Sequence, residues 1–168
     1  MVKEITEKRL YNITLYYLTR FDASVGKVRS MLKRRLIKAK MAGHNLPPET
    51  SQWIETIISD MHRLGYLNDS RYAENKIRLL IHQGKSIQFM TLKLKEAGID
   101  EETIQTLLIN ASVSDLEQAC RLVARKKLGP HRPSEQQQIC YQKDLATLAR
   151  AGFAYDIARK ALSLFKED

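Results

Sequence analysis

The chain has 168 residues, 43% of them hydrophobic, and a formal charge of +9. That composition supports a real core and excludes a disordered tail. Its apolar runs, such as Leu79-Leu80-Ile81, exclude a membrane span of about 20 residues. The charge implies a polyanionic or acidic partner.

Helical periodicity runs along the chain, with no strand-like alternation. Leu10, Ile13, Thr14, Tyr17, Leu18 and Phe21 form one face of a first helix, and Val25, Val28, Leu32 and Leu36 a face of a second. Arg35 falls among the apolar positions of the second helix, so either the helix distorts there or the arginine stem snorkels. After a loop holding Pro47 and Pro48, Ile54, Ile57, Ile58, Met61 and Leu64 mark a third helix that Gly65 closes. Ala73, Ile77, Leu80 and Ile81 mark the fourth. Ile87, Met90, Leu94 and Ala97 mark the fifth, stopped at Gly98, and Ile104, Leu107 and Leu108 the sixth. Leu116, Cys120 and Val123 open a seventh that ends near Gly129-Pro130. Tyr141, Leu145, Leu148 and Gly152 belong to the eighth, and Ile157, Ala161, Leu164 and Phe165 to the ninth. Ser114-Asp115-Leu116-Glu117 and Ser134-Glu135-Gln136-Gln137 fit capping boxes, and Asp69, Ser86 and Asp100 fit N-caps. Tyr17, Phe21, Tyr66, Tyr72, Phe153 and Phe165 sit at core spacings. Tyr16 lies off the apolar face, beside Arg9 and Arg20.

The expected fold is all-α, with nine helices as three tandem three-helix repeats over 1–66, 67–112 and 113–168. Internal similarity supports the repeats: Leu94 to Ile99 (Leu-Lys-Glu-Ala-Gly-Ile) parallels Leu148 to Phe153 (Leu-Ala-Arg-Ala-Gly-Phe), and Ser24, Val28 and Leu32 parallel Ser86, Met90 and Leu94. The first repeat carries an inserted loop near 42–50. Such stacking predicts an elongated, curved monomer with long surfaces rather than deep pockets.

No constellation carries catalysis. Gly84-Lys85-Ser86 ends like a phosphate-binding loop, but Leu79 stands where the earlier glycine is needed and no strand precedes it. Cys120, Cys140 and His131 lack metal-ligand spacing, so no metal is expected, and the cysteines read as small buried hydrophobes. Two cysteines give no disulfide framework, and a charged start without an apolar segment gives no signal peptide, so a cytoplasmic setting is expected. Asp100, Glu101 and Glu102 cluster at a helix start, where acids complement the macrodipole. Neither an enzyme nor a cofactor is expected.

Charge is uneven. Residues 1–68 hold 12 Lys/Arg against 6 Asp/Glu, 69–113 hold 6 and 6, and 114–168 hold 10 and 7. No acid interrupts the second helix. Lys27, Lys33, Arg34 and Lys38 lie off its apolar stripe, and Arg121 and Arg125 share a face of the seventh helix. These six residues are the expected partner-binding or DNA-binding set.

The segment Leu64-Gly65-Tyr66-Leu67-Asn68-Asp69-Ser70-Arg71-Tyr72-Ala73 resembles the signature of the RecX family. Leu18, Arg20, Ser24, Val28 and Leu32 resemble its first repeat, Leu94 and Gly98-Ile99 its second, and Ala124 to Lys127 with Arg150 to Phe153 its third. Within the signature, Gly65, Tyr66, Leu67, Asp69, Arg71, Tyr72 and Ala73 read as a joint: a helix stop, interface plugs, a cap and packing groups. The chain departs from the family at Asn68, at Lys27 and Lys93 (usually glutamate), at Phe89 and Ala97 (often basic), and at Ser86-Ile87. The resemblance implies a negative regulator that binds the RecA nucleoprotein filament and inhibits recombination and ATP turnover. The competing expectation is a basic protein that binds single- or double-stranded DNA directly without acting on a recombinase.

Overall fold

A computed structural model of the chain describes residues 5–163. It is all-α, with no strand among those residues: α1 (Glu7–Leu18), α2 (Val25–Met41), α3 (Thr50–Arg63), α4 (Asp69–His82), α5 (Ile87–Glu96), α6 (Glu101–Asn110), α7 (Asp115–Lys126), α8 (Ser134–Arg150) and α9 (Tyr155–Ser163), with a 3-10 turn at Gly129–His131. The expected inserted loop joins α2 to α3, and all four prolines fall outside α-helices, where a missing amide costs no helical hydrogen bond. Leu164 and Phe165, expected on the last helix, lie outside the described residues.

The chain divides into two compact units, residues 1–73 with 97–99, and 74–96 with 100–168. The first is built on Leu10, Val28, Leu32, Ile54, Ile57, Ile58, Met61 and Leu67. In the second, Ala119, Leu122, Val123, Leu145, Leu148, Phe153, Ala158 and Leu162 close around the last three helices, and Met90, Leu94 and Ile104 are fully buried. Spacing places most of these on apolar stripes, because a helix buries residues three and four apart together; on α7 the buried face is instead Ala119, Leu122 and Val123, with Leu116 and Cys120 only partly buried.

Several local expectations change. Phe21 is 58% exposed and Tyr66 is also exposed, so neither is core; Phe21 stands beyond the end of α1, where the helical period no longer aims it inward, and stacks on Tyr17 with ring centroids 5.3 Å apart. Only Leu67 of the pair Tyr66-Leu67 plugs the core. Asp69 is the first residue of α4 rather than its cap: Asn68 accepts the Arg71 amide at 2.9 Å. Ser114 caps no amide with its side chain, and Ser134 lies inside α8 behind Pro133, so neither capping box forms. Ser86 and Asp100 do cap, accepting the amides of Phe89 and Thr103. Arg35 is exposed and α2 runs through it without interruption, so the helix does not distort there.

Gly65 ends α3 at φ +76°, with open space where a Cβ would stand. The penalty for a side chain is therefore backbone strain alone. Gly65→Val is expected to lower stability by about 1–2 kcal/mol, and Gly65→Asn by less, because asparagine tolerates the left-handed region. Urea melts of the two variants check this ordering.

Candidate partner-binding surface

Two structural joints within the chain are built alike, and they fix the segments that carry the surface. In the first unit the Ser24 hydroxyl, capping α2, donates to the Ala97 carbonyl, and the Val25 amide donates to Asp69 Oδ1 at 2.8 Å. In the second unit the Ser86 hydroxyl, capping α5, donates to the Ala151 carbonyl at 3.0 Å, and the Ile87 amide donates to Asp115 Oδ1 at 2.7 Å. Each pairing satisfies a helix-start amide that has no intrahelical acceptor. Three residues past each aspartate is a buried polar side chain, Tyr72 or Gln118, and the Tyr72 hydroxyl and Gln118 carbonyl oxygen have no hydrogen-bond partner among the described residues.

The signature segment is thereby explained as structure. Asp69 clamps the start of α2, Tyr72 and Ala73 are buried, and the Arg71 guanidinium reaches the Gly65 and Tyr66 carbonyls at 3.4 and 3.5 Å. Gly84-Lys85-Ser86 is a connector: a Cβ on Gly84 would sit 3.2 Å from the Gln118 carbonyl, Lys85 Nζ lies 4.8 Å from the Phe89 ring centroid, and the Ser86 hydroxyl is spent on Ala151. No phosphate cradle forms there.

The expected contact residues fall into two sets. In the first unit Lys33, Arg34 and Lys38 are exposed on α2, and among the described residues none of them makes an ion pair. Lys27 is exposed as well, but its Nζ sits 5.1 Å from the Tyr72 ring centroid, so it belongs partly to the joint. Arg29 differs from its neighbours: Nε and Nη2 bind Glu55 at 2.9 and 2.8 Å, and that hydrogen-bonded charge holds the Glu55 carboxyl below the usual range. In the second unit Arg121 and Arg125 are exposed on α7, one turn apart. Tyr16, off the apolar face as read, is exposed with the Arg20 guanidinium 4.2 Å from its ring centroid.

One buried polar cluster carries no signal in the sequence pattern. Asp144 of α8 is fully buried; it accepts Arg132 Nε and Nη2 and the Gly129 amide, all at 2.8 Å. A lone acid on a helix gives no sign of a partner twelve residues back across a turn. The two cysteines are free thiols and only partly buried; burial, aided by the Glu117 charge, pushes the Cys120 thiol up, which disfavours a reactive thiolate. Among the described residues no group of three or more His, Cys, Asp or Glu is placed to hold a metal ion, and no helix is long and apolar enough to cross a membrane.

No family model matches the chain. It is 33% identical over 165 residues to the regulatory protein RecX of Myxococcus xanthus, a match covering 95% of this chain and 87% of that one. Its identity to the regulatory protein RecX of Neisseria meningitidis serogroup B is 34% over 138 residues, covering 80% and 82%. The crystal structure of RecX from Lactobacillus salivarius matches with a TM-score of 0.58 over 95% of this chain and 97% of that one, at 23% identity. Another RecX crystal structure reaches 0.60 over 92% and 70%, at 19% identity. At those identities the structural likeness speaks to the fold alone.

Proposed function

Because the chain belongs to the RecX regulatory protein family, we propose that it is a negative regulator of a RecA-type recombinase. In this reading it binds the nucleoprotein filament and lowers recombination and ATP turnover. The observation that carries the proposal is the likeness along nearly the whole chain to regulatory proteins of that family. It acts as a monomer of three helical triplets (1–66, 67–112, 113–168) in the cytoplasm, without a cofactor and without catalysis of its own. Lys33, Arg34 and Lys38 on one unit, and Arg121 and Arg125 on the other, supply the contacts, with Lys27 at the margin of the first set.

The acid-free run of cations on α2 also favours a second reading, direct binding to DNA. The two differ in salt response and in target. A binder neutralising about six phosphates loses affinity with a log–log salt slope near −5. A filament regulator inhibits ATP turnover well below the concentration at which it binds bare DNA. The test is RecA ATPase on single-stranded DNA titrated with the protein, beside its anisotropy-measured affinity for the same DNA. Inhibition that appears only at DNA-saturating protein concentrations rejects the regulator reading.

Charge reversal checks the surface. Lys33→Glu with Arg34→Glu is expected to raise the half-inhibiting concentration about tenfold, or about 1.4 kcal/mol. Helicity and melting temperature stay nearly unchanged, because both side chains are exposed. Arg121→Glu with Arg125→Glu is expected to behave likewise. If both double variants inhibit like the parent at low and moderate salt, these cations only solvate the helices.

A further inference from the structure

The solvent face of α2 is not purely basic. Lys33, Ile37 and Met41 follow one another at four-residue spacing, with Arg34 and Lys38 as the adjacent row. Ile37 is 57% exposed and Met41 83%. A single exposed apolar side chain is ordinary, but here two lie among three cations that make no ion pair among the described residues. Beside them a groove of about 370 Å³ runs between α2 and α3, lined by Lys33, Leu36, Ile37, Ser51, Ile54 and Glu55. Glu55 is the one carboxylate in that lining, and its two oxygens are taken by Arg29. The face is therefore cationic with an apolar centre.

We propose that this face docks an acidic segment of the regulated partner protein that carries apolar anchor side chains. The segment's carboxylates meet Lys33, Arg34 and Lys38. Its anchors cover Ile37 and Met41 and enter the groove at Leu36 and Ile54. The proposal rests on the regulator reading and specifies which component of the filament α2 touches. Two features favour a protein segment over a nucleic-acid strand. Residues 33–41 include no aromatic ring on which a base could stack. A sugar-phosphate backbone would meet the cations yet leave Ile37 and Met41 in water, whereas an apolar anchor desolvates them as the centre of a protein interface does.

The test uses the full chain and a variant carrying Ile37→Ser with Met41→Ser, whose exposed positions leave the fold intact; circular dichroism and melting confirm that. Anisotropy is measured with a labelled peptide of aspartate, glutamate and leucine, with a matched peptide in which serine replaces leucine, and with oligothymidylate. The parent is expected to bind the leucine peptide at least about tenfold tighter than the serine peptide. The variant is expected to lose that difference while holding its oligothymidylate affinity. In the ATPase assay its half-inhibiting concentration should rise about fivefold or more. Equal binding of the two peptides by the parent overturns the proposal. So does loss of oligothymidylate affinity in the variant, which makes the face a nucleic-acid surface. If the peptide results hold but the parent fails to inhibit ATP turnover, the docking face stands and the recombinase reading falls.

Discussion

Asp144→Ala is expected to lower stability by about 3 kcal/mol, and with it the melting temperature by roughly 6–12 °C. The carboxylate is fully buried and receives three hydrogen bonds, two from the Arg132 guanidinium and one from the Gly129 amide. Removing it leaves a partly buried positive charge and an orphaned amide, and both lose solvation without gaining a partner. The turn Gly129–His131 then loses its tie to α8. The effect has a pH signature. Burial pushes the Asp144 carboxyl up, but the Arg132 hydrogen bond, the Gly129 amide and the Arg132 and Lys143 charges together hold it below the ordinary carboxylate range. A carboxyl lowered in the folded state contributes stability above its unfolded pKa of about 3.9 and loses it as pH falls through the folded value. Urea midpoints of parent and variant should therefore differ most near neutral pH and converge in strong acid. A gap that stays constant down the pH range would assign the loss to packing rather than to the charge pair.

Gly26→Val is expected to cost still more, about 4 kcal/mol, by opening the joint of the first unit. A Cβ on Gly26 would stand 2.5 Å from the Ala97 carbonyl oxygen and 3.1 Å from the Gly98 Cα. These neighbours are backbone atoms, so no rotamer change relieves the clash. Moving α2 away would also break the Ser24 bond to Ala97 and the Val25 bond to Asp69, each worth about 1 kcal/mol or more. The second joint supplies the control. Gln88 stands two residues past Ser86 as Gly26 stands two past Ser24, and it is exposed. Gln88→Val should shift stability by no more than about 0.5 kcal/mol. Matching melts for the parent and Gly26→Val would mean that the two backbones do not close as described.

Sequence alone determined the helices and most of the core. Residues at three- and four-residue spacing, such as Ile54, Ile57, Ile58 and Met61, must share a face once the backbone is helical; Gly65 ends that helix because it alone enters the left-handed region without penalty, and Pro47-Pro48 keep the segment before it out of a helix. The signature from Leu64 to Ala73 was legible as a joint for the same reason: a stop, a plug and a start lie within ten consecutive residues.

Tertiary structure decided where that joint's bonds go. Asp69 fits an N-cap in sequence, yet its oxygen serves the Val25 amide 44 residues away, and Ser24 finds its acceptor 73 residues away. Local patterning holds no information about such partners, because they depend on which helix ends the packing brings together. The same limit explains Phe21 and Tyr66, which stand just past the ends of α1 and α3, where the helical period no longer sets their direction, and Asp144, whose burial and arginine arise only when the turn after α7 folds back onto α8. It explains Ile37 and Met41 as well. The period of α2 sets them off the buried stripe, but only the packed structure shows two large apolar groups left in water among exposed cations, since exposure is fixed by what packs above a helix and not by the helix itself.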